Sequence, residues 1–272
     1  MKIRSIMAIL VLTVFVGTVQ VKAQCKIRND YFQAGEEMIY DLYAKLGPFH
    51  SKAGVSSLKT SSEVYDGVEA YRVALIAEST GTIRKLFSLN DTLVGYITKD
   101  VVPLAYIKDA HEGKDDTHEY IKYKYNANND IDVNVKRVKN GTERFNENVK
   151  VSNCIYDMVS VVMYARTLDY SSMKKGDEMA VEFMSGRNRV KMIIEHDGEE
   201  KMKGNDKKTY DCIKLILSIS DDAFTDKEEA MKVYITNDKN RMPVRLDSQL
   251  KIGSTRAILK SYKGNKYPIG QQ

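Results

Sequence analysis

The chain has 272 residues, with 42 Lys+Arg against 37 Asp+Glu, 3 Cys, 4 Pro and no Trp. Its 43% apolar and 29% charged content is that of an ordinary globular protein, which excludes collagen-like and disordered classes. A chain of this length buries enough surface to fold without help from a metal or a disulfide.

Lys2 and Arg4 precede an uncharged run, Ile6 to Val16, and Val21-Lys22-Ala23 places a small residue before Gln24. That order is the one a secretory signal peptide follows. It predicts cleavage after Ala23, with residues 24–272 left as a single exported, β-rich domain in the periplasm or attached to the envelope. The apolar run is well short of the ~20 residues that span a bilayer, and no other stretch approaches that length, so no transmembrane helix is expected in the mature chain. Gln24 stands where a lipobox needs a small residue, so ordinary cleavage is expected rather than lipidation of Cys25. Removing residues 1–23 takes away Lys2, Arg4 and Lys22 and no acid, which lowers the net charge from +5 to +2. No electrostatic footprint of a nucleic-acid binder remains.

Beyond the leader, period-two alternation recurs along the chain. Met38, Tyr40, Leu42, Ala44 and Leu46 share one face against Asp41 and Lys45. Tyr71, Val73, Leu75 and Ala77 repeat the pattern, as do Ile131, Val133 and Val135, and finally Val244, Leu246, Leu250 and Ile252. Such alternation marks antiparallel strands with one wet face. Asp66-Gly67, Asn128-Asn129, Asn140-Gly141, Asp197-Gly198, Asn237-Asp238 and Ile252-Gly253-Ser254 read as the turns between them. About a dozen strands of meander spacing follow, and a sheet that large tends to curl or close. A short helical stretch is expected within Gly81–Leu89, and the polar stretch Asn140–Val151 is the best hinge between two sequence halves.

Cys154 to Leu168 breaks the alternation: it is apolar on nearly all sides and lacks Gly and Pro. It predicts a buried helix whose start Ser152 or Asn153 can cap. The expected fold is therefore mainly β, a strongly curved antiparallel meander forming an open or half barrel around one buried helix.

The helix carries the polar residues of most interest. Asp157, Ser160 and Tyr164 fall on one face at i, i+3 and i+7, with Arg166 about half a turn away. A buried carboxylate needs a cation or several donors, with Arg72, Arg187 or Arg245 as candidate partners. These residues form either an internal strut from helix to sheet or the polar floor of a ligand cavity. The densest polar cluster, residues 109–119, offers His111, Glu112, Asp115 and His118 as metal-ligand candidates. No helical or strand spacing pre-sets the two histidines there, so a solvated hairpin tip is the simpler reading. His50 and His196 are expected in turns. Export exposes Cys25, Cys154 and Cys212 to oxidising conditions; three thiols cannot all pair internally, and a Cys154–Cys212 bridge stands beside isolated buried thiols as an alternative. No nucleophile elbow, P-loop, dinucleotide fingerprint or EF-hand loop is present, so no cofactor and no catalytic residue is implied.

Several stretches taken together resemble one family. They are Phe32-Gln33-Ala34-Gly35-Glu36, Asp157-x-x-Ser160-x-x-x-Tyr164-x-Arg166, Tyr210-Asp211-Cys212-Ile213-Lys214, Tyr234-Ile235-Thr236-Asn237-Asp238, and Arg241-Met242-Pro243-Val244 closed by Ile252-Gly253-Ser254. Their order is similar to that in the exported bacterial proteins of domain-of-unknown-function family 3108, over most of residues 32–262. The resemblance implies a fold and an envelope location but no activity. A curved sheet around a helix also resembles, at the level of fold alone, the open barrels of periplasmic lipoprotein carriers.

The expected function is non-enzymatic: holding a lipid, acyl chain or other amphipathic ligand in the curved sheet. The alternative is an envelope module that binds a protein or a glycan. A hydrolase using Asp157 or the His111–His118 cluster is the least supported reading, because no motif supplies the geometric roles that catalysis requires.

Overall fold

The computed structural model describes residues 25–47, 49–81, 83–219, 231–249 and 253–271. The leader and its cleavage site, and Ile252 of the expected Ile252-Gly253-Ser254 turn, lie outside these residues.

Strands β1 (Glu37–Leu46), β2 (Phe49–Tyr65), β3 (Val68–Ser79), β4 (Leu89–Thr98), β5 (Pro103–Glu112), β6 (Asp115–Tyr125), β7 (Ile131–Lys139) and β8 (Thr142–Val151) run as one antiparallel meander. A second run contains β9 (Ile155–Tyr156), β10 (Glu178–Ser185), β11 (Asn188–Lys203), β12 (Thr209–Ile219), β13 (Met231–Thr236), β14 (Pro243–Gln249) and β15 (Ser254–Lys263). All 15 belong to one sheet, nearly closed into a barrel, against the dozen expected. Residue chemistry sets the hairpins locally. Asp66-Gly67 and Asn140-Gly141 both place two successive residues at positive φ, the backbone of the tight turn that matches strand twist.

Long-range pairing decides the rest. β1 pairs with β15, joining the two runs, so among the described residues the sheet breaks between β8 and β9. These edge strands are consecutive in the chain. Across the break, Arg187 before β11 donates to Glu147 of β8 at 2.8 Å, and Phe145 of β8 packs under the guanidinium groups of Arg137 and Arg187. Cys25 bonds to Cys154 at the same break. This replaces the candidate Cys154–Cys212 bridge: Cys212 is a buried thiol on β12, the alternative read from the sequence, and burial pushes its pKa up to about 12.

Helix α1 (Ile83–Leu86) is a single turn inside the stretch expected to be helical. The buried helix is shorter than its apolar sequence predicts: α2 spans only Ser160–Arg166. Ile155 and Tyr156 instead pair in parallel with Glu182 and Phe183, and the chain turns into the helix at Asp157. Helix α2 divides the interior. Val159 and Met163 enter the larger apolar core, which draws on strands of both runs, while Val161 and Leu168 enter a second core against β10–β13. A helix wedged between two cores is apolar all round for that reason.

Two further expectations change. Asp197-Gly198 is not a turn but a bulge within β11, where the pairing slips between His196 and Glu199. His196 is accordingly a buried strand residue beside the ring of Tyr170. The supposed hinge at residues 140–151 is the last tight turn of the first meander followed by edge strand β8.

Candidate functional site

Of the helix residues singled out from the sequence, Asp157 and Ser160 meet, while Tyr164 and Arg166 point elsewhere. Asp157 begins the helix. Its Oδ1 accepts the backbone N–H groups of Val159 (2.9 Å) and Ser160 (2.8 Å), and the Ser160 hydroxyl accepts the Asp157 N–H at 2.8 Å. This reciprocal cap replaces the expected caps at Ser152 or Asn153. No Asp157–arginine pair forms: Arg72, Arg187 and Arg245 bind Glu63, Glu147 and Asp247 instead. The other carboxylate oxygen faces Tyr123 of β6. Both this oxygen and the Tyr123 hydroxyl are buried without a hydrogen bond. Burial pushes the Asp157 pKa up to about 6, against the lowering by its cap hydrogen bonds. Gly95 of β4 makes this seat possible, since a Cβ there would lie 3.1 Å from Val159 and 3.5 Å from Asp157 Oδ1.

Arg166 anchors the other end. It binds Glu36 through two parallel hydrogen bonds of 2.6 and 2.8 Å, and it donates to the carbonyls of Asn240 (2.8 Å) and Arg241 (3.1 Å). Both charged side chains are only 1% exposed. The receiving loop is itself rigid: Asp238 accepts from the Thr236 hydroxyl and from the N–H groups of Asn240, Arg241 and Gly270. Tyr164 points elsewhere, donating to Met179 Sδ at 3.1 Å and packing on Tyr156. Sequence reasoning carried Glu36 and Asp238 only within the family motifs, without a role, and missed Asn240. A buried arginine demands an acid, but nothing local distinguishes Glu36 from the other carboxylates.

What opens beside the helix is apolar. A cleft of about 130 Å³ lies between Met158, Val159 and Val162 on one side and β1, β2, β3, β14 and β15 on the other, where Tyr40, Leu58, Leu75, Leu246 and Ala257 line it together with Arg245, which is paired with Asp247. Its polar groups are already engaged: the Tyr40 hydroxyl donates to the Pro243 carbonyl at 3.0 Å, and Ser56 donates to the Ile76 carbonyl at 2.7 Å. Met158, 42% exposed, forms the lip.

The metal-ligand candidates on the β5–β6 hairpin separate by face. Glu112 pairs with Lys108, and Asp115 with Lys139 and Asn140, away from the histidines. His111 and His118 do share a face, contrary to expectation, together with Asp109 and Asp116. The two-residue turn Gly113-Lys114 was the available signal, because it sets His111 opposite Asp116 and His118 opposite Asp109. Contact with Asp116 raises the His111 pKa. On the neighbouring strand β4, burial and the adjacent Glu112 push the Asp91 pKa up to about 6.

Residues 40–260 match the model of the family described as "Protein of unknown function (DUF3108)". No curated protein matches the chain. Among solved structures, the β-barrel-like protein of domain of unknown function DUF1849 from Brucella abortus shares the fold. Its TM-score is 0.57 at 9% identity, with 87% of this chain and 98% of that chain covered. A candidate exported protein with a YmcC-like fold from Bacteroides fragilis aligns at TM-score 0.33 and 11% identity, over 89% of this chain and 100% of the other. A candidate lipoprotein from Parabacteroides distasonis aligns at TM-score 0.33 and 13% identity, over 87% and 100%.

Proposed function

We propose, for a chain that belongs to the DUF3108 family of proteins of unknown function, that the nearly closed sheet holds the hydrocarbon end of a lipid or other amphipathic molecule in the cell envelope. The apolar cleft beside α2 carries this reading. Its lining is predominantly apolar, its hydroxyls are bonded within the protein, its one charged residue, Arg245, is paired with Asp247, and it is open on one side. Such a site rejects polar ligands, because it offers them no free partner, and gains about 0.8 kcal/mol for each methylene it takes out of water. At about 130 Å³ it accepts a few methylenes and not a whole lipid, so the polar end of the ligand stays outside. The leader-like residues 1–23 support export, as does a Cys25–Cys154 disulfide, which suits an oxidising compartment.

A docking module for a protein or glycan has less support. The exposed large hydrophobics among the described residues are Val64, Val68, Phe87, Tyr120 and Met158, spread over separate elements rather than joined in one patch.

The test is native mass spectrometry of protein isolated gently from an envelope fraction, followed by solvent extraction. A bound hydrocarbon-bearing molecule is expected in the native protein. In Ala257→Phe, which fills the cleft, it should be lost while the thermal transition is kept. Protein that carries no such molecule and does not bind a fluorescent fatty acid would refute the reading.

A further inference from the structure

The apolar cleft is one part of a longer apolar surface on the inside of the sheet. Residues paired across neighbouring strands stand on the same face. Leu75 of β3, which lines the cleft, pairs with Leu93 of β4, and Ser56 of β2 pairs with Ala77 of β3. On the other side Ala257 of β15 pairs with Leu42 of β1 and with Leu246 of β14, and Leu246 pairs with Val233 of β13. Leu93, Ala77, Leu42 and Val233 therefore flank the cleft without lining it, and all four are apolar and half-buried.

Burial on this face changes within two residues along each strand. Val73, Val244 and Leu259 are 0% exposed, whereas Leu75, Leu246 and Ala257, their next neighbours on the same face, are only partly buried. The interior is thus filled on one side of these positions and open on the other. Met158, the exposed lip of the cleft just ahead of α2, marks the same boundary.

From Leu93 to Val233 the surface crosses β4, β3, β2, β1, β15, β14 and β13, which are neighbours in that order. At about 4.8 Å between neighbouring strands this is about 29 Å measured along the sheet. That is close to the ~30 Å hydrocarbon core of a bilayer, which two acyl chains placed end to end fill. The surface also has defined ends. Leu93 pairs onward with Lys108 of β5, a charged residue, and Val233 with Leu215 of β12, which is itself buried. A folded partner is too broad for the inside of a nearly closed sheet, whereas hydrocarbon chains are narrow enough to enter it.

Building on the reading that the cleft holds hydrocarbon, we propose that the ligand is a lipid with at least two acyl chains. Its hydrocarbon fills the cleft and spreads from there over both flanks, toward Leu93 and toward Val233. A single chain seated in the cleft leaves one or both flanks facing water. A second chain covers them, and affinity rises with the apolar surface that each partner takes out of water.

The test is calorimetric titration of lipid-stripped protein with short-chain phosphatidylglycerol and, separately, its single-chain lyso form, both below their aggregation concentrations. The two share a head group, and at least tenfold tighter binding of the two-chain lipid is expected. A two-chain lipid is also the less soluble of the pair, so the flanks are tested directly. Leu93→Gln/Val233→Gln alters no cleft residue. It should reduce the preference at least fivefold and leave binding of the lyso form unchanged, with circular dichroism and the urea midpoint as checks on the fold. Equal binding of the two lipids by the native protein would overturn the inference and leave a single-chain cleft standing, and this comparison does not depend on the variant. A preference that survives in the folded double variant would overturn it as well. Binding of neither lipid would overturn it together with the cleft reading.

Discussion

At the scale of single residues, two buried groups carry testable weight. Arg166 and Glu36 are both almost fully buried and meet through two parallel hydrogen bonds. Such a pair adds little net stability over a well-packed apolar pair, but breaking it strands a charge in the interior. Glu36→Gln is therefore expected to lower the unfolding free energy by about 3–5 kcal/mol in urea titration, and Glu36→Met with Arg166→Met by clearly less than Glu36→Gln alone. Asp157 behaves differently. Its folded pKa, about 6, lies above the ordinary carboxylate value of 3.8. The folded state thus holds its proton more tightly than the unfolded state does. That contribution to stability is complete below about pH 4 and is lost as pH rises through about 6, a change on the order of 3 kcal/mol. Asp157→Asn keeps the oxygen that caps α2 and cannot ionise. Urea midpoints measured from pH 4 to pH 7.5 should fall for the native protein relative to Asp157→Asn; parallel curves would show that the carboxyl is not strained by burial.

At the scale of elements, α2 illustrates how little of a short helix is intrinsic. Seven residues are too few to be stable alone, so the helix exists because its two ends are held and its sides are buried. The Asp157–Ser160 cap holds one end and the Arg166–Glu36 contact the other. Gly95 allows the first turn to lie flush on β4, where a methyl group would press on Val159. Gly95→Ala is expected to cost about 1–3 kcal/mol by overpacking, measured by thermal or urea unfolding, without disturbing the strand pairing of β4. The residues that line the apolar cleft beside Met158 and Val162 belong partly to this helix. The same variant should therefore also weaken any hydrocarbon binding.

At the scale of the whole molecule, closure is the main fact. β1 and β15 join the two runs, and among the described residues the gap falls between β8 and β9, consecutive in the chain. The Cys25–Cys154 disulfide ties the N-terminal segment to that gap and closes a loop with a sequence separation of 129. A cross-link of this span restricts the unfolded chain by about 4–5 kcal/mol in the chain-entropy account. Cys25→Ser/Cys154→Ser, like the reduced native protein, should unfold at markedly lower urea concentration. The native protein without reductant should show two titratable thiols fewer than its three cysteines on thiol titration of the unfolded chain.

Much of this protein was determined by short-range physics that the sequence displays openly. Alternation with period two follows from the pleat of a strand, and Asp66-Gly67 and Asn140-Gly141 make tight turns because those residues tolerate positive φ. The mainly β class, the curled meander and the buried character of the helical segment were therefore legible, and the order of short motifs carried the family resemblance. The His111–His118 proximity was legible too, once the two-residue turn at Gly113-Lys114 is allowed to set the register. What only the tertiary structure decided is every feature that joins residues far apart in the chain. These are the β1–β15 closure, the choice of Cys25 rather than Cys212 as the partner of Cys154, the pairing of Arg166 with Glu36, and the trimming of the helix to Ser160–Arg166. The physical reason is common to all four. Each depends on which groups are brought together when the sheet closes, and a carboxylate, a thiol or a strand edge has no local pattern that names its distant partner.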